Sequence, residues 1–191
     1  LIGLAGNDSI SSVSGADWIL GGSGNDEIVL ASDSTYGSDL IAINADLYSL
    51  SGGMRHVVDL TGKGRLEKVI DGGADSDTIL LSDSADALFL HDTLSSFYDD
   101  AELVLTSDFK GNQGTARITN IETIRAGAGD DLIDMTSPDY TNGVGITAYG
   151  EAGNDILWGT ELADVLYGGD DDDVLFGGAG NDALYGGAGS D

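Results

Sequence analysis

Aspartate returns at intervals of nine residues along much of this chain. Four copies run without a break near the C-terminus: GEAGNDILW (150–158), GTELADVLY (159–167), GGDDDDVLF (168–176) and GGAGNDALY (177–185), followed by GGAGSD (186–191). The same frame fits residues 3–11, 12–20 and 21–29, with isolated copies at 72–80, 81–89 and 126–134. The sixth position is always Asp: Asp8, Asp17, Asp26, Asp77, Asp86, Asp131, Asp155, Asp164, Asp173, Asp182 and Asp191. A turn former accepts Asn as readily as Asp. A ligand for a hard, multivalent cation needs the charge, so a strictly held carboxylate points to oxygen ligation of such an ion.

The elements that must position these carboxylates follow from the rest of each repeat. The glycine-rich half has to turn sharply, because glycine adopts positive φ without a steric penalty. The eighth position is always aliphatic, from Ile10, Ile19 and Ile28 to Leu157, Leu166, Leu175 and Leu184. That predicts a short strand at the end of each repeat whose middle side chain faces inward.

Composition agrees. The 191 residues carry 34 acids against 7 Lys and Arg, a net charge of −27, with 30 glycines and no cysteine. Phosphate backbones and anionic membrane surfaces are repelled by such a chain, which excludes nucleic-acid binding and electrostatic membrane docking. No apolar run approaches the roughly 18 residues of a membrane span. Thiol chemistry and a disulfide scaffold are excluded. The apolar content of 41% is too high for a disordered acidic tail.

The pattern GGxGxDxUx resembles the calcium-binding nonapeptide of the repeats-in-toxin (RTX) family over roughly half of the chain. The resemblance implies an all-β fold, a parallel β-roll of two nonapeptides per coil, in which repeat i stacks on repeat i+2. Asp155, Asp173 and Asp191 then form one ladder and Asp164 with Asp182 another. Asp8 stacks with Asp26, and Asp17 lies opposite. Asp131 joins the first ladder if residues 135–149 supply an irregular half-coil. The implied cofactor is Ca2+, several ions, held by Asp8, Asp17, Asp26, Asp77, Asp131, Asp155, Asp164, Asp173 and Asp182. Carbonyls of the second and fourth positions complete the shell: Gly22 with Gly24, Glu151 with Gly153, Gly169 with Asp171, and Gly178 with Gly180. Glu151 and Asp171 depart from the motif's glycine, which only a backbone oxygen at those positions tolerates. Such proteins are exported by type I secretion from Gram-negative bacteria, so the resemblance implies an extracellular or cell-surface location. Folding is then linked to metal, since ions that bind only the folded form stabilise it by mass action.

Three parts are expected: N-terminal coils (1–29), an inserted β-rich lobe (30–125) containing the isolated repeats at 72–89, and a C-terminal roll (126–191), together one cooperative unit. In the lobe, residues 40–50, 56–60, 66–70, 103–106 and 116–124 read as strands, and 93–99 as a short helix or loop. All basic residues and both histidines, His56 and His91, lie between Arg55 and Arg125. Forked guanidinium donors suit a carboxylate ligand, so Arg55, Arg65, Arg117 and Arg125 are the candidate ligand-binding residues, with Tyr98 as a pocket wall. Ordinary surface ion pairs are the plainer use of the same charges. Trp158, Tyr167, Phe176 and Tyr185 share the ninth position, and alternate members should stack along each face.

No nucleophile elbow, HExxH or Walker loop is present, and a non-enzymatic module is expected. The third positions hold no threonine array of the kind an ice-binding face needs. The chain starts and stops inside repeats, as a segment of something longer would, with neighbouring domains among its partners. The layout of repeats, insert and repeats resembles peptide-binding domains of large RTX adhesins, which take protein C-termini on a host or neighbouring cell. The alternatives are a carbohydrate-binding adhesin domain and a purely structural folding and secretion block of a secreted enzyme.

Overall fold

A computed structural model describes residues 1–13, 17–31, 34–35, 40–44, 55–66, 69–90, 118–136 and 142–191, and of residues 34, 40–44, 55–59 and 65 the backbone alone. No helix occurs among the described residues. In chain order the strands are β1 (Ile2–Ala5), β2 (Ser9–Ser12), β3 (Trp18–Ser23), β4 (Glu27–Leu30), β5 (Ser34–Thr35), β6 (Leu40–Asn44), β7 (Arg55–Asp59) and β8 (Gly64–Arg65). They continue as β9 (Val69–Ala74), β10 (Thr78–Leu80), β11 (Asp86–Phe89), β12 (Ile118–Thr119), β13 (Thr123–Arg125) and β14 (Leu132–Asp134). The last are β15 (Thr147–Ala152), β16 (Ile156–Trp158), β17 (Val165–Asp170), β18 (Val174–Phe176) and β19 (Ala183–Ala188).

These strands form an all-β parallel roll. A seven-stranded sheet, ordered β19-β17-β15-β13-β10-β4-β2, is its spine. A four-stranded sheet (β1-β3-β9-β12) accompanies its N-terminal part and a six-stranded sheet (β18-β16-β14-β11-β8-β5) its C-terminal part. Repeats pair with the repeat after next: Ile10 aligns with Ile28, Leu166 with Leu184, and Leu157 with Leu175. The antiparallel pairings among the described strands are β5 with β8 and β6 with β7.

The eighth-position aliphatics make the core. Ile19, Ile28, Ile79, Ile124, Ile133, Leu157 and Leu166 are fully buried in one continuous cluster. Each repeat supplies one inward apolar residue, too little to fold alone, and stacking adds them into a shared core.

Residues 69–90 and 118–134 run inside the roll rather than in a separate lobe. The strands β9, β10 and β11 belong in turn to the first, spine and third sheets, and β12, β13 and β14 repeat that course. Residues 69–90 and 118–125 of the segment expected as an insert at 30–125 therefore belong to the roll, because their nonapeptide-like turns carry the same inward aliphatics as the rest. Of the strands expected there, 40–50 contributes β6, 56–60 contributes β7 and 116–124 contributes β12 and β13, whereas 66–70 yields strand from Val69 onward. Residues 93–99 and 103–106 lie outside the described residues.

Candidate metal centre

The turn before each spine strand places its sixth-position residue in one column: Asp8, Asp26, Asp77, Glu122, Ile146, Asp164 and Asp182. Backbone bonds from Glu27, Thr78, Thr123, Thr147, Val165 and Ala183 to the carbonyls of the preceding six define it. A second column precedes the third sheet: Asp86, Asp131, Asp155, Asp173 and Asp191. In both columns one carboxylate oxygen accepts the backbone N–H of the neighbour one coil back. The N–H of Asp8 donates to Asp26, Asp26 to Asp77 (both 2.8 Å), and Asp77 to Glu122 (2.7 Å). The second column repeats this from Asp86 to Asp131 (2.6 Å), Asp131 to Asp155 (2.8 Å), Asp155 to Asp173 (2.9 Å) and Asp173 to Asp191 (3.1 Å). Asp131 reaches Asp155 over 24 residues instead of the usual 18, so the extra chain between β14 and β15 is accommodated within the ladder.

The other oxygen is the informative one. Oδ2 of Asp8, Asp26, Asp77, Asp131, Asp155 and Asp173 is buried with no hydrogen-bond partner. Buried polar atoms are almost always satisfied, and leaving a carboxylate oxygen bare is costly. The first-position glycine creates the space. A Cβ at Gly21 would stand 2.5 Å from Oδ2 of Asp26 and one at Gly72 2.6 Å from Oδ2 of Asp77, and Gly150 and Gly168 face Asp155 and Asp173 with the same overlap. These donors fit a hard cation that takes oxygen ligands. Among the described residues no three His, Cys, Asp or Glu side chains come together. A cation here would therefore draw on paired carboxylates and on backbone carbonyls of the turns.

Burial sets the electrostatics of the metal-free columns. It raises the carboxyl of Asp131 to about 8 and that of Asp155 to about 7, against hydrogen bonds that favour the charged form. Asp77, Asp164 and Asp173 are raised too, again chiefly by burial, with neighbouring carboxylates adding repulsion. Removing acids from water disfavours their ionised form, and a bound dication reverses that preference.

Asp17 and Asp164, both expected ligands, and Asp86 behave differently. Ser12 Oγ donates to Asp17 (2.5 Å), Ser82 N and Oγ to Asp86 (3.0 and 2.7 Å), and Thr160 N to Asp164 Oδ2 (2.7 Å), with Thr160 Oγ1 also bonding that carboxylate. A hydroxyl from the first or second position thus meets these carboxylates from within the chain. Asp164 accepts from Ile146 N and Asp182 from Asp164 N, so Asp164 and Asp182 stack apart from the column of Asp155, Asp173 and Asp191, and lie in the column of Asp8 and Asp26. Ile146, fully apolar, interrupts that column between Glu122 and Asp164.

The backbone at the second and fourth positions is bent as a carbonyl-presenting turn needs. Gly22, Gly24, Gly153, Gly169, Gly178 and Gly180 all have positive φ. So do the departures from glycine, Glu151 at 77° and Asp171 at 79°, which retain the turn at the expense of backbone strain.

Of the ligand-binding candidates, Arg125 is the one whose side chain is described. Arg125 lies over the Tyr149 ring, 4.9 Å from its centroid, and pairs with Glu151, so its guanidinium is already engaged. Arg55 and Arg65 are in β7 and β8, where the backbone alone is described. Arg117 and Tyr98 lie outside the described residues. Of the ninth-position rings, Tyr167 and Tyr185 stack nearly parallel at 4.8 Å, with Tyr149 joining at 4.9 Å, while Trp158 meets Phe176 at 5.2 Å with the rings tilted by 45°.

Four features escaped the expected ligand set: Asp86, Asp191, Glu122 and the first-position glycines. The first two hold sixth positions, and Glu122 precedes Ile124 at the repeat's own spacing, so the frame itself signals them. The glycines were visible only as turn formers.

The family model for the RTX calcium-binding nonapeptide repeat matches residues 1–34, 69–90, 119–134, 147–161 and 158–191, more than half of the chain. The matched segments contain both acidic columns. No curated protein and no solved structure matches the chain.

Proposed function

Since the chain belongs to the RTX calcium-binding nonapeptide repeat family, we propose that it is a calcium-organised module of a secreted adhesin that binds a ligand at a target cell surface. The observation that carries the calcium part is the run of buried, partnerless Oδ2 atoms in two stacked columns. Asp8, Asp26, Asp77, Asp131, Asp155 and Asp173 hold the ions, with backbone oxygens of the glycine turns. Calcium supplies positive charge between rungs that otherwise repel, and so makes the rigid roll conditional on the extracellular ion level. RTX repeats are characteristic of type I secretion from Gram-negative bacteria, and export of this chain by that route fits a roll that stays open until it meets calcium.

The ligand in this reading is the C-terminal end of a protein on a host or neighbouring cell. Support comes from the cluster of basic residues between Arg55 and Arg125, in a chain otherwise devoid of positive side chains. A specific observation favours a second reading, a glycan. Tyr167 and Tyr185 are exposed and stacked on one face of the spine sheet, which is a surface on which sugar rings pack. A peptide C-terminus library and a glycan array, both probed with calcium and with chelator, separate these readings. Binding to neither supports the purely structural alternative, a folding block.

A further inference from the structure

Two buried carboxylates of the roll are closed by hydroxyls from their own turns. Thr160 N donates to Oδ2 of Asp164 (2.7 Å), and Thr160 Oγ1 bonds the same carboxylate, 3.0 Å from Oδ1 and 3.1 Å from Oδ2. Thr160 Oγ1 in turn accepts the backbone N–H of Leu162 (3.0 Å). With Ile146 N donating to Oδ1 (2.7 Å), both oxygens of Asp164 are partnered. The turn at Ser82 repeats the arrangement. Ser82 N and Oγ donate to Oδ2 of Asp86 (3.0 and 2.7 Å), and Ser82 Oγ accepts Ser84 N (3.2 Å). The bare oxygen of Asp86 is Oδ1, because Gly64 N in the aligned strand donates to the Ala85 carbonyl instead (2.5 Å). Both turns read hydroxyl-x-x-Ala-Asp, SDSAD at 82–86 and TELAD at 160–164. Their backbone differs too. In the other nonapeptides of the frame that are described throughout, the second and fourth residues both have positive φ. That holds even where glycine is missing, as in Leu4 with Gly6, Gly73 with Asp75 and Glu151 with Gly153. Ser82, Ser84, Thr160 and Leu162 all stay outside the left-handed region.

We propose that Thr160 and Ser82 decide where calcium is left out: their hydroxyls close the Asp164 and Asp86 turns without metal, and the ion ladder skips both. The inference rests on the calcium reading above and names the rungs that take no ion. At the ion-holding rungs Oδ2 is buried and bare, so a cation adds a partner there. At Asp164 and Asp86 the same oxygen already accepts an N–H and an O–H, and an ion would have to break those bonds. The turns also lack the left-handed bends that present carbonyls, the second source of oxygen ligands. Their places in the columns agree. Asp164 follows the apolar Ile146, and Asp86 lies beside Gly64. Each is thus a rung where a run of acids starts, with no carboxylate on one side to share an ion. A hydroxyl from the turn satisfies the acid in the ion's stead, and these two turns keep their shape when calcium is absent.

The test is calcium stoichiometry by equilibrium dialysis on the full chain, for the parent, Thr160→Ser and the double variant Thr160→Gly with Leu162→Gly. Leu162 is exposed, so its loss removes little packing, and the two glycines restore the motif's turn. The expected result is one additional calcium ion per chain in the double variant and an unchanged number in Thr160→Ser. Circular dichroism after calcium removal should show the double variant less ordered than the parent and Thr160→Ser equal to it. A folded double variant that binds the parent's number of ions overturns the proposal. Anomalous diffraction from the calcium-loaded parent decides the matter even if the double variant does not fold. Ions beside Oδ2 of Asp26 or Asp155 and none beside Oδ2 of Asp86 or Asp164 is the expected map, and an ion beside either of the latter two overturns the proposal. A parent that binds no calcium overturns the calcium reading itself, and this proposal with it.

Discussion

The backbone N–H of Asp155 donates to Oδ1 of Asp173 one coil along (2.9 Å), while Oδ2 of Asp173 is buried with nothing to bond. The same carboxylate therefore does two jobs. One oxygen fixes the register of neighbouring rungs, and the other is left for a cation. Neutral Asn can perform the first and not the second.

Asp173→Asn separates those jobs. Its side-chain carbonyl still accepts from Asp155, but the charge is gone. Calcium affinity at the neighbouring steps should fall by at least roughly tenfold, and the calcium-saturated roll should melt at a lower temperature. The calcium-free chain should be no less ordered than the parent, since a buried repulsive charge has been removed. Calorimetric titration and thermal melts in both states check the pair of signs.

Stability should respond to pH in opposite directions with and without calcium. Asp131 and Asp155 have folded-state values of about 8 and about 7, above their ordinary 3.8. The folded, metal-free chain therefore binds more protons than the unfolded one, and its stability falls as pH rises from about 4 to about 8. With calcium the ligands must be ionised, so affinity climbs over the same range and protons are released on binding. Dichroism of calcium-stripped protein across this range, repeated at saturating calcium, reads both trends.

Gly72→Ala should lower the melting temperature in calcium. The added methyl would collide first with the backbone carbonyl oxygen of Asn120 and also stand 2.6 Å from Oδ2 and 2.8 Å from Cβ of Asp77. Forcing it in shifts the neighbouring backbone and the carboxylate and costs about 1–3 kcal/mol, with calcium binding weakened at the same step. Denaturant unfolding at saturating calcium gives the size.

Asp171→Gly should act the other way. Asp171 is exposed and held at φ 79°, and relief of the left-handed strain should raise stability by about 1 kcal/mol. Its carbonyl, the atom the turn presents, is unchanged, so calcium stoichiometry should be too. Melting curves and equilibrium dialysis check both halves.

Much of this architecture was legible in the nine-residue frame. A strict Asp two residues before an inward aliphatic predicts a turn, a strand and a stacked carboxylate, and Asp155 over Asp173 is that pattern realised. Glu122 before Ile124 follows the same rule. Ile146 before Ala148 obeys the spacing while losing the charge, and there the first column breaks. The change of partner sheet midway was not legible. That β3 and β9 pair in the four-stranded sheet while β11 and β14 pair in the six-stranded one is a long-range property that local periodicity does not carry. Arg125 shows the same limit. Its position gave charge and shape, but its engagement with Tyr149 and Glu151 follows only from the alignment of β13 with β15.

Anomalous diffraction from crystals grown in saturating calcium tests the central claim most directly. Ion peaks beside Oδ2 of Asp26, Asp77, Asp155 and Asp173, between successive rungs, are the predicted result. Rungs with no ion beside those oxygens, in a roll that nonetheless keeps its coils, would contradict it.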